Sequence, residues 1–466
     1  MPHILFIVFA FALGACIGSF LNVVVWRLPR GESLVTPPSR CPICEHRLAW
    51  YDNIPVFGWL ALRGRCRYCH TAISAQYPTV EFITGALFVL YYILYFLVPN
   101  LGPCWVTTRV DSFGPIAVHF YMTSIIDNWP QYLLAIFTIS ALLAASLIDA
   151  KQFWIPQSIP ILMAIVGLIY HGISDKPRIP GALNVQSGPV AALTIGAGLG
   201  LLISILLTLI GKFPRSFAEG WPALEIDSEP APAEPTEGRL AKLVRARIDA
   251  FRPKLAPAQQ KTLDQFKATA ATREKQEAQR QKEEQAKQPQ VEEKEFTRAD
   301  ITREIRKEML FLMPPILLAI AAYAIVASGK LPAFSRFIEH GNHHWLTGLL
   351  GSLLGALAGG FVVWLTRILG SLAFGREAMG MGDVDLMFGV GAIIGAGAST
   401  VAFFIAPFFG LALAVYMFIV GKRRELPYGP YLSLGTAFVM IYYCPIADYL
   451  RPGMSAIAQM MHHTQP

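Results

Sequence analysis

The sequence predicts an all-α fold, a polytopic transmembrane helical bundle with one small folded loop on its cytoplasmic side. Three observations lead there. Hydrophobic residues make up 54% of the 466 residues and charged residues only 15%, with a mean hydropathy of +0.44; this is too apolar for an ordinary soluble chain. Several apolar runs reach the roughly 20 residues that a helix needs to cross a bilayer. Four of the seven cysteines fall in two C-x-x-C pairs within one loop, a spacing that suggests metal ligation rather than disulfides. The net charge of +7 reads as loop orientation and contact with membrane lipids, not as nucleic-acid binding. There is no internal repeat of fixed period.

The first span covers residues 4–26. It lacks the basic segment that opens a signal peptide, and its apolar run continues past Cys16, so Leu13-Gly14-Ala15-Cys16 is not a lipoprotein cleavage box. Arg27 and Arg30 follow and mark the inner face. The loop over residues 27–77 carries Cys41-Pro42-Ile43-Cys44 and Cys66-Arg67-Tyr68-Cys69. Each pair can aim two thiolates at one ion, and the two pairs together complete a closed tetrahedral site of the structural zinc type. Metal ligands are therefore expected at Cys41, Cys44, Cys66 and Cys69, with the nearby His46 and His70 facing solvent. The second span, residues 79–98, starts near Glu81, which either has a function or merely suits a helix N-terminus.

Residues 99–130 form a loop with little signal, and a third span, residues 132–148, returns to Asp149. Fourth and fifth spans cover residues 155–173 and 190–210. Residues 212–307 differ in kind. A Pro/Ala/Glu-rich stretch leads to residues 240–248, which have helical spacing, and then to a Gln/Glu/Lys/Arg tract over 274–294. This composition describes a solvated segment. A sixth span covers 309–327. His343-His344 and His462-His463 are read as solvated pairs. The seventh span, 345–369, is glycine-rich and suited to close helix packing. Residues 384–420 suffice for two further spans, and a final span follows Tyr428-Gly429-Pro430. Alternate counting puts the cysteine loop, Asp149, the charged arm, Asp383 and Lys422 all on the basic side. The chain divides accordingly into 1–98 (two spans and the zinc loop), 99–211, a charged cytoplasmic insertion over 212–308, and 309–466.

The stretch that the rest serves is Gly375-Arg376-Glu377-Ala378-Met379-Gly380-Met381-Gly382-Asp383. Asp383 stands where a glycine-rich turn enters an apolar run, and an acid at a membrane edge is costly. Gly380 and Gly382 allow another chain to approach closely. A single such Asp would be a helix cap. The second, Asp149, also ends an apolar run, and two such acids suggest the two-carboxylate chemistry of aspartic proteases. A proton-coupled transporter, whose acids would lie mid-span, and a non-catalytic scaffold remain as alternatives.

These residues resemble the prepilin leader peptidase/N-methyltransferase family, membrane aspartic peptidases of type IV pilus and type II secretion systems. Residues 18–29 look like the family's first-span signature, and residues 51–66 with the cysteines look like its zinc loop. Tyr77-Pro78-Thr79-Val80-Glu81 and Tyr428-Gly429-Pro430 are similar to further family segments. The family's two catalytic acids match Asp149 and Asp383. The resemblance covers residues 1–98, 131–171 and 345–448. It implies leader cleavage of prepilins or pseudopilins at the cytoplasmic face of the bacterial inner membrane. It also implies N-methylation of the new terminus with S-adenosylmethionine as donor. The chain departs from the family pattern in three places. Asp385 stands where Lys is usual, and Gln157 stands where Asp is frequent. The two acids lie 383 − 149 = 234 positions apart, an excess assigned to two extra spans and the charged arm.

Overall fold

In the computed structural model the described residues are 2–41, 43–97, 125–173, 185, 187–214, 216, 298–340, 343–420, 427–442, 446 and 449. The expectations for the loop over 99–124, the charged arm over 217–297, the Lys422 stretch and His462-His463 fall outside them. The chain divides into two compact units, residues 1–214 with 298–466, and residues 215–297. All described helices belong to the first.

The helices are α1 (Pro2–Arg27), the short α2 (Phe57–Ala61), α3 (Gln76–Phe96), α4 (Ile125–Gln152), α5 (Ser158–Ile173), α6 (Gly188–Leu209), α7 (Arg298–Ala327), α8 (Pro332–His340), α9 (His344–Phe374) and α10 (Met381–Val420). A further helix, α11, spans residues 429–442. Among the described residues, seven helices are long and apolar enough to cross a membrane, and strand pairing is confined to two isolated bridges. Leu5, Val8 and Phe9 on α1 and Phe404, Phe408 and Leu411 on α10 are all exposed. Apolar rows of this kind suit lipid, not water.

Three expectations shift. The fourth span, expected over 155–173, is α5, whose 16 residues leave it outside the seven membrane-crossing candidates. The sixth span, expected from 309, belongs to a longer helix, α7, that begins at Arg298, and Ile301, Glu304, Ile305 and Glu308 are buried. Its first turns are charged in composition yet packed against the bundle, which composition alone cannot reveal. The run 384–420 is one continuous helical stretch in name only. Gly395, at φ 83 and ψ 171, breaks it, a conformation that glycine adopts without penalty. Two helices meet at that break, and the stretch counts as one membrane-crossing candidate over Met381–Val415, not the two spans its length allows.

Close packing is set by small residues. Gly14 and Gly18 on α1 face α3: a Cβ on Gly14 would lie 2.8 Å from the Gly85 Cα, and one on Gly18 would lie 2.7 Å from the Glu81 Cα. On α9, Gly355 sits so near α10 that a Cβ would lie 2.1 Å from the Gly391 carbonyl oxygen. Ser352 Oγ donates to the Ala392 carbonyl at 2.6 Å. Without a hydrophobic drive inside lipid, this close backbone approach supplies the attraction between helices. The main core lies where α3, α4, α5, α10 and α11 meet, around Tyr91, Ile148, Met163, Leu386, Ile393 and Leu432.

Candidate active site and metal centre

The loop between α1 and α3 folds around its cysteines. Two knuckles repeat one hydrogen-bond pattern. Cys41 N–H donates to His46 O (3.0 Å) and Glu45 N–H to Cys41 O (2.9 Å); Cys66 N–H donates to Thr71 O (2.8 Å) and His70 N–H to Cys66 O (3.0 Å). Glu45 and His70 each adopt φ 55, so each knuckle turns back through a left-handed residue just after its second cysteine. The four Sγ atoms lie within 4.8 Å of one another, with Cys41–Cys69 at 3.7 Å and Cys44–Cys66 at 4.0 Å. Tetrahedral ligation with metal–sulfur bonds near 2.3 Å requires sulfurs about 3.8 Å apart, so the donor set fits a metal ion. The Cys44 backbone N–H, opposed by burial, lowers the Cys41 pKa to about 7. The Thr71 N–H favours the Cys69 thiolate, but burial and the other three thiols outweigh it and push Cys69 up to about 12. One negative charge is accepted and more are resisted, which is how a thiol cluster behaves before a cation compensates it. His46 and His70 are exposed, as expected.

The loop is fastened at two points. Arg67 grips the buried Asp52 carboxylate with two nitrogens, Nε at 3.0 Å and Nη2 at 2.6 Å. Glu81, buried in the first turns of α3, accepts the Val56 backbone N–H at 2.7 Å. Val56 has φ 62, an outlier for a β-branched residue that this contact helps to hold. Of the two sequence readings of Glu81, neither foresaw a buried acceptor that anchors the loop.

Asp149 lies in the last turns of α4. Phe153, at φ 56, donates its N–H to Asp149 O at 2.8 Å and turns the chain towards α5. Asp383 lies in the first turn of α10, just after the turn that Gly375 (φ 67) opens at the end of α9. Both carboxylates are largely buried, at 6% and 8% exposed. Both line one pocket of about 460 Å³, together with Leu28, Phe153, Ile155, Gln157, Gly382 and Asp385. A carboxylate at a helix C-terminus opposes the dipole there. The Gly429 N–H offsets this by donating to Asp149 Oδ2 at 3.0 Å. Gly429 begins α11, so Tyr428-Gly429-Pro430 is the third element of the site, and its distance in sequence hid that role. Gly382 packs against Ile155, where an added Cβ would lie 3.2 Å from Ile155 Cβ. Both acids sit at helix ends, not mid-span, which speaks against a proton relay through the bilayer. Leu28, which joins the pocket, follows α1 directly, so the root of the cysteine loop and both acids share one end of the bundle.

Asp385 and Gln157, two of the three departures from the family pattern, both line the pocket. Two substitutions that look independent in sequence fall at one site.

The fold and site define a multi-pass α-helical membrane protein with two buried carboxylates in one pocket, beside a loop whose four thiols could hold a metal. Comparisons with known proteins agree. Residues 12–95 match the bacterial peptidase A24 N-terminal domain, and residues 136–216 and 302–415 match the type IV leader peptidase family. Within the second match only residues 217–301 are left out, so the charged tract is the insertion, whereas α6 and most of α7, expected as two extra spans, fall inside the family match. The prepilin leader peptidase/N-methyltransferase of Myxococcus xanthus (strain DK1622) is 62% identical over 84 residues, 18% of this chain and 25% of that protein. The protein of that name from Klebsiella pneumoniae is 32% identical over 201 residues, 42% of this chain and 69% of that one. The type 4 prepilin-like proteins leader peptide-processing enzyme of Escherichia coli O78:H11 (strain H10407 / ETEC) is 34% identical over 185 residues, 35% and 56% of the two chains. No solved structure matches. The chain belongs to the type IV leader peptidase family. The aligned parts span between a quarter and about two thirds of these relatives' lengths.

Proposed function

We propose that this chain is a membrane aspartic endopeptidase that removes the short leader from type IV prepilin-like proteins at the cytoplasmic face of the bacterial inner membrane, and that it N-methylates the new N-terminus. The observation that carries the reading is that Asp149 and Asp383, from α4 and α10, line a single pocket. One carboxylate, ionised, takes a proton from water as that water attacks the scissile carbonyl carbon. The other, protonated, donates a hydrogen bond to the carbonyl oxygen. The two share one proton as a pair, so neither role belongs to one residue. The Gly429 N–H orients Asp149. The half-open pocket at the helix ends admits an extended peptide whose following helix lies among lipid-facing helices.

The four-cysteine loop holds a structural zinc ion in this reading, through Cys41, Cys44, Cys66 and Cys69, and zinc there supplies cross-linking, not chemistry. Methylation requires S-adenosylmethionine, and we assign no residue to that donor.

The test is cleavage of a prepilin-like peptide by the purified protein in detergent, with Asp149→Asn and Asp383→Asn beside wild type. Cleavage lost in both variants, each still folded, is expected. Either variant cleaving at the wild-type rate would overturn the assignment.

A further inference from the structure

The turn that carries Asp383 is built to be loose. Glycines stand at 375, 380 and 382, and glycine has the largest conformational freedom of any residue. A catalytic carboxylate needs the opposite, since displacement by about 1 Å can cost two orders of magnitude in rate. Something outside the turn must hold it.

Arg367, on the last turns of α9, is placed to do so. Its Nη1 donates to Glu377 Oε1 at 2.7 Å and to the Met379 carbonyl oxygen. One nitrogen thus grips the turn at two points, six and four residues before Asp383. The Ser371 Oγ accepts the Ala378 N–H at 3.0 Å, a third tie from the same helix. The guanidinium is itself held from behind. Its Nε and Nη2 both lie 3.0 Å from Oε1 of Glu308 on α7. The other Glu308 oxygen accepts Trp364 Nε1–H at 2.9 Å. Arg367 and Glu308 side chains are 2% and 1% exposed.

An ion pair so buried is poor evidence for stability, because apolar residues of similar size often do as well once desolvation is counted. Its use is directional. A planar guanidinium fixed on one edge by a carboxylate presents its remaining N–H groups at set angles. We infer that Glu308 of α7 and Arg367 of α9 are positioning residues that hold the glycine-rich turn, and with it Asp383, in its working place. Glu308 bonds to Arg367 and Trp364, both on α9, and is not among the residues lining the pocket, so it acts on the turn through Arg367. The inference rests on the reading of Asp383 as catalytic and adds a residue from the helix that directly follows the charged tract.

The experiment uses the full-length protein in detergent. Arg367→Lys, Glu308→Gln and Glu377→Gln are compared with wild type and Asp383→Asn for kcat and KM on a prepilin-like peptide. Backbone hydrogen exchange over residues 375–383 is measured in each. Lysine keeps the charge and loses the fork; glutamine keeps the size and loses the charge. The expected result is a kcat tenfold or more lower in Arg367→Lys and roughly fivefold lower in Glu308→Gln. KM should stay within twofold, and exchange should quicken at 375–383 while α4 and α5 remain at wild-type rates. A kcat within twofold of wild type in both variants, or faster exchange spread evenly over the bundle, would overturn the inference. Glu377 is partly exposed, so Glu377→Gln keeps the test usable should Glu308→Gln fail to fold. Cleavage persisting in Asp383→Asn would sink the catalytic reading instead, and exchange at the turn would then decide the positioning claim alone.

Discussion

Replacing Gly429 with alanine separates activity from stability. Gly429 begins α11 and its N–H donates to Asp149 Oδ2 at 3.0 Å. A Cβ added there would lie 2.6 Å from that same oxygen and 3.1 Å from Ile155 Cδ1, closer than carbon and oxygen tolerate. The carboxylate must therefore swing away or the helix must retreat, and either lengthens the hydrogen bond. A hydrogen bond to a charged group contributes about 1.5–3 kcal/mol. At about 1.36 kcal/mol per decade, its loss predicts a kcat roughly 10- to 150-fold lower. Misplacement of a reacting group by about 1 Å gives a similar figure, on the order of 100-fold. Folding should suffer less, because the atom nearest the added Cβ is the end of a side chain that can rotate aside, not backbone. Gly397→Ala is the control, since nothing lies within 4 Å of its added Cβ. The assay is steady-state cleavage of a prepilin-like peptide, with thermal unfolding followed in parallel. Gly429→Ala cleaving at the wild-type rate would refute the role given to this contact, and so would a loss of activity matched by global unfolding.

Reversing both family departures should be better tolerated than reversing one. Asp385→Lys alone faces Gln157 across the pocket and should lower kcat/KM about tenfold, whereas Asp385→Lys with Gln157→Asp restores a charged pair and should recover most of it; a double variant no better than the single would mean the two positions act independently. Metal analysis should find about one zinc per chain, lost in Cys66→Ser, with faster proteolysis between residues 32 and 72. The pH dependence has a definite sign: Cys41 is lowered to about 7 from the usual 9.0, so its thiolate's contribution to the metal-free loop is complete above pH 9 and lost as pH falls through 7. Cys69, raised to about 12, gives up its proton to solvent only as the metal binds its sulfur, so zinc affinity should rise with pH and binding should release protons; affinity flat between pH 6 and 9 would contradict four-thiolate ligation. Gly18→Ala should push α1 from α3 at Glu81 and cost about 1–3 kcal/mol, measured by unfolding in detergent; an unchanged midpoint would show that the close approach is slack.

Composition and periodicity were enough to read a helical membrane protein here, because lipid permits only a narrow range of structures. Every backbone polar group must be satisfied within the span, so apolar runs of sufficient length become helices. The two C-x-x-C pairs were equally legible, since both ligands of a knuckle lie within four residues and the chain between them is too short to allow much else. The two acids could be singled out only as a pair: alone, Asp383 reads as a helix cap, and a second acid at the edge of an apolar run changes that reading. What no local signal carried was which distant groups meet. The Gly429 N–H reaches Asp149 across 280 positions, and Glu81 holds Val56 through a side chain that sequence reads as a helix-end acid. Asp385 and Gln157 come to line one pocket only when α10 packs beside the start of α5. The charged opening of α7 looked like part of a solvated arm, yet it buries Glu308 against Arg367. A buried polar group is stable only with a partner, and in this protein the partners come from other helices. Sequence therefore determined the helical membrane class, the cysteine knuckles and the two candidate acids, while helix packing alone decided what surrounds and steadies them.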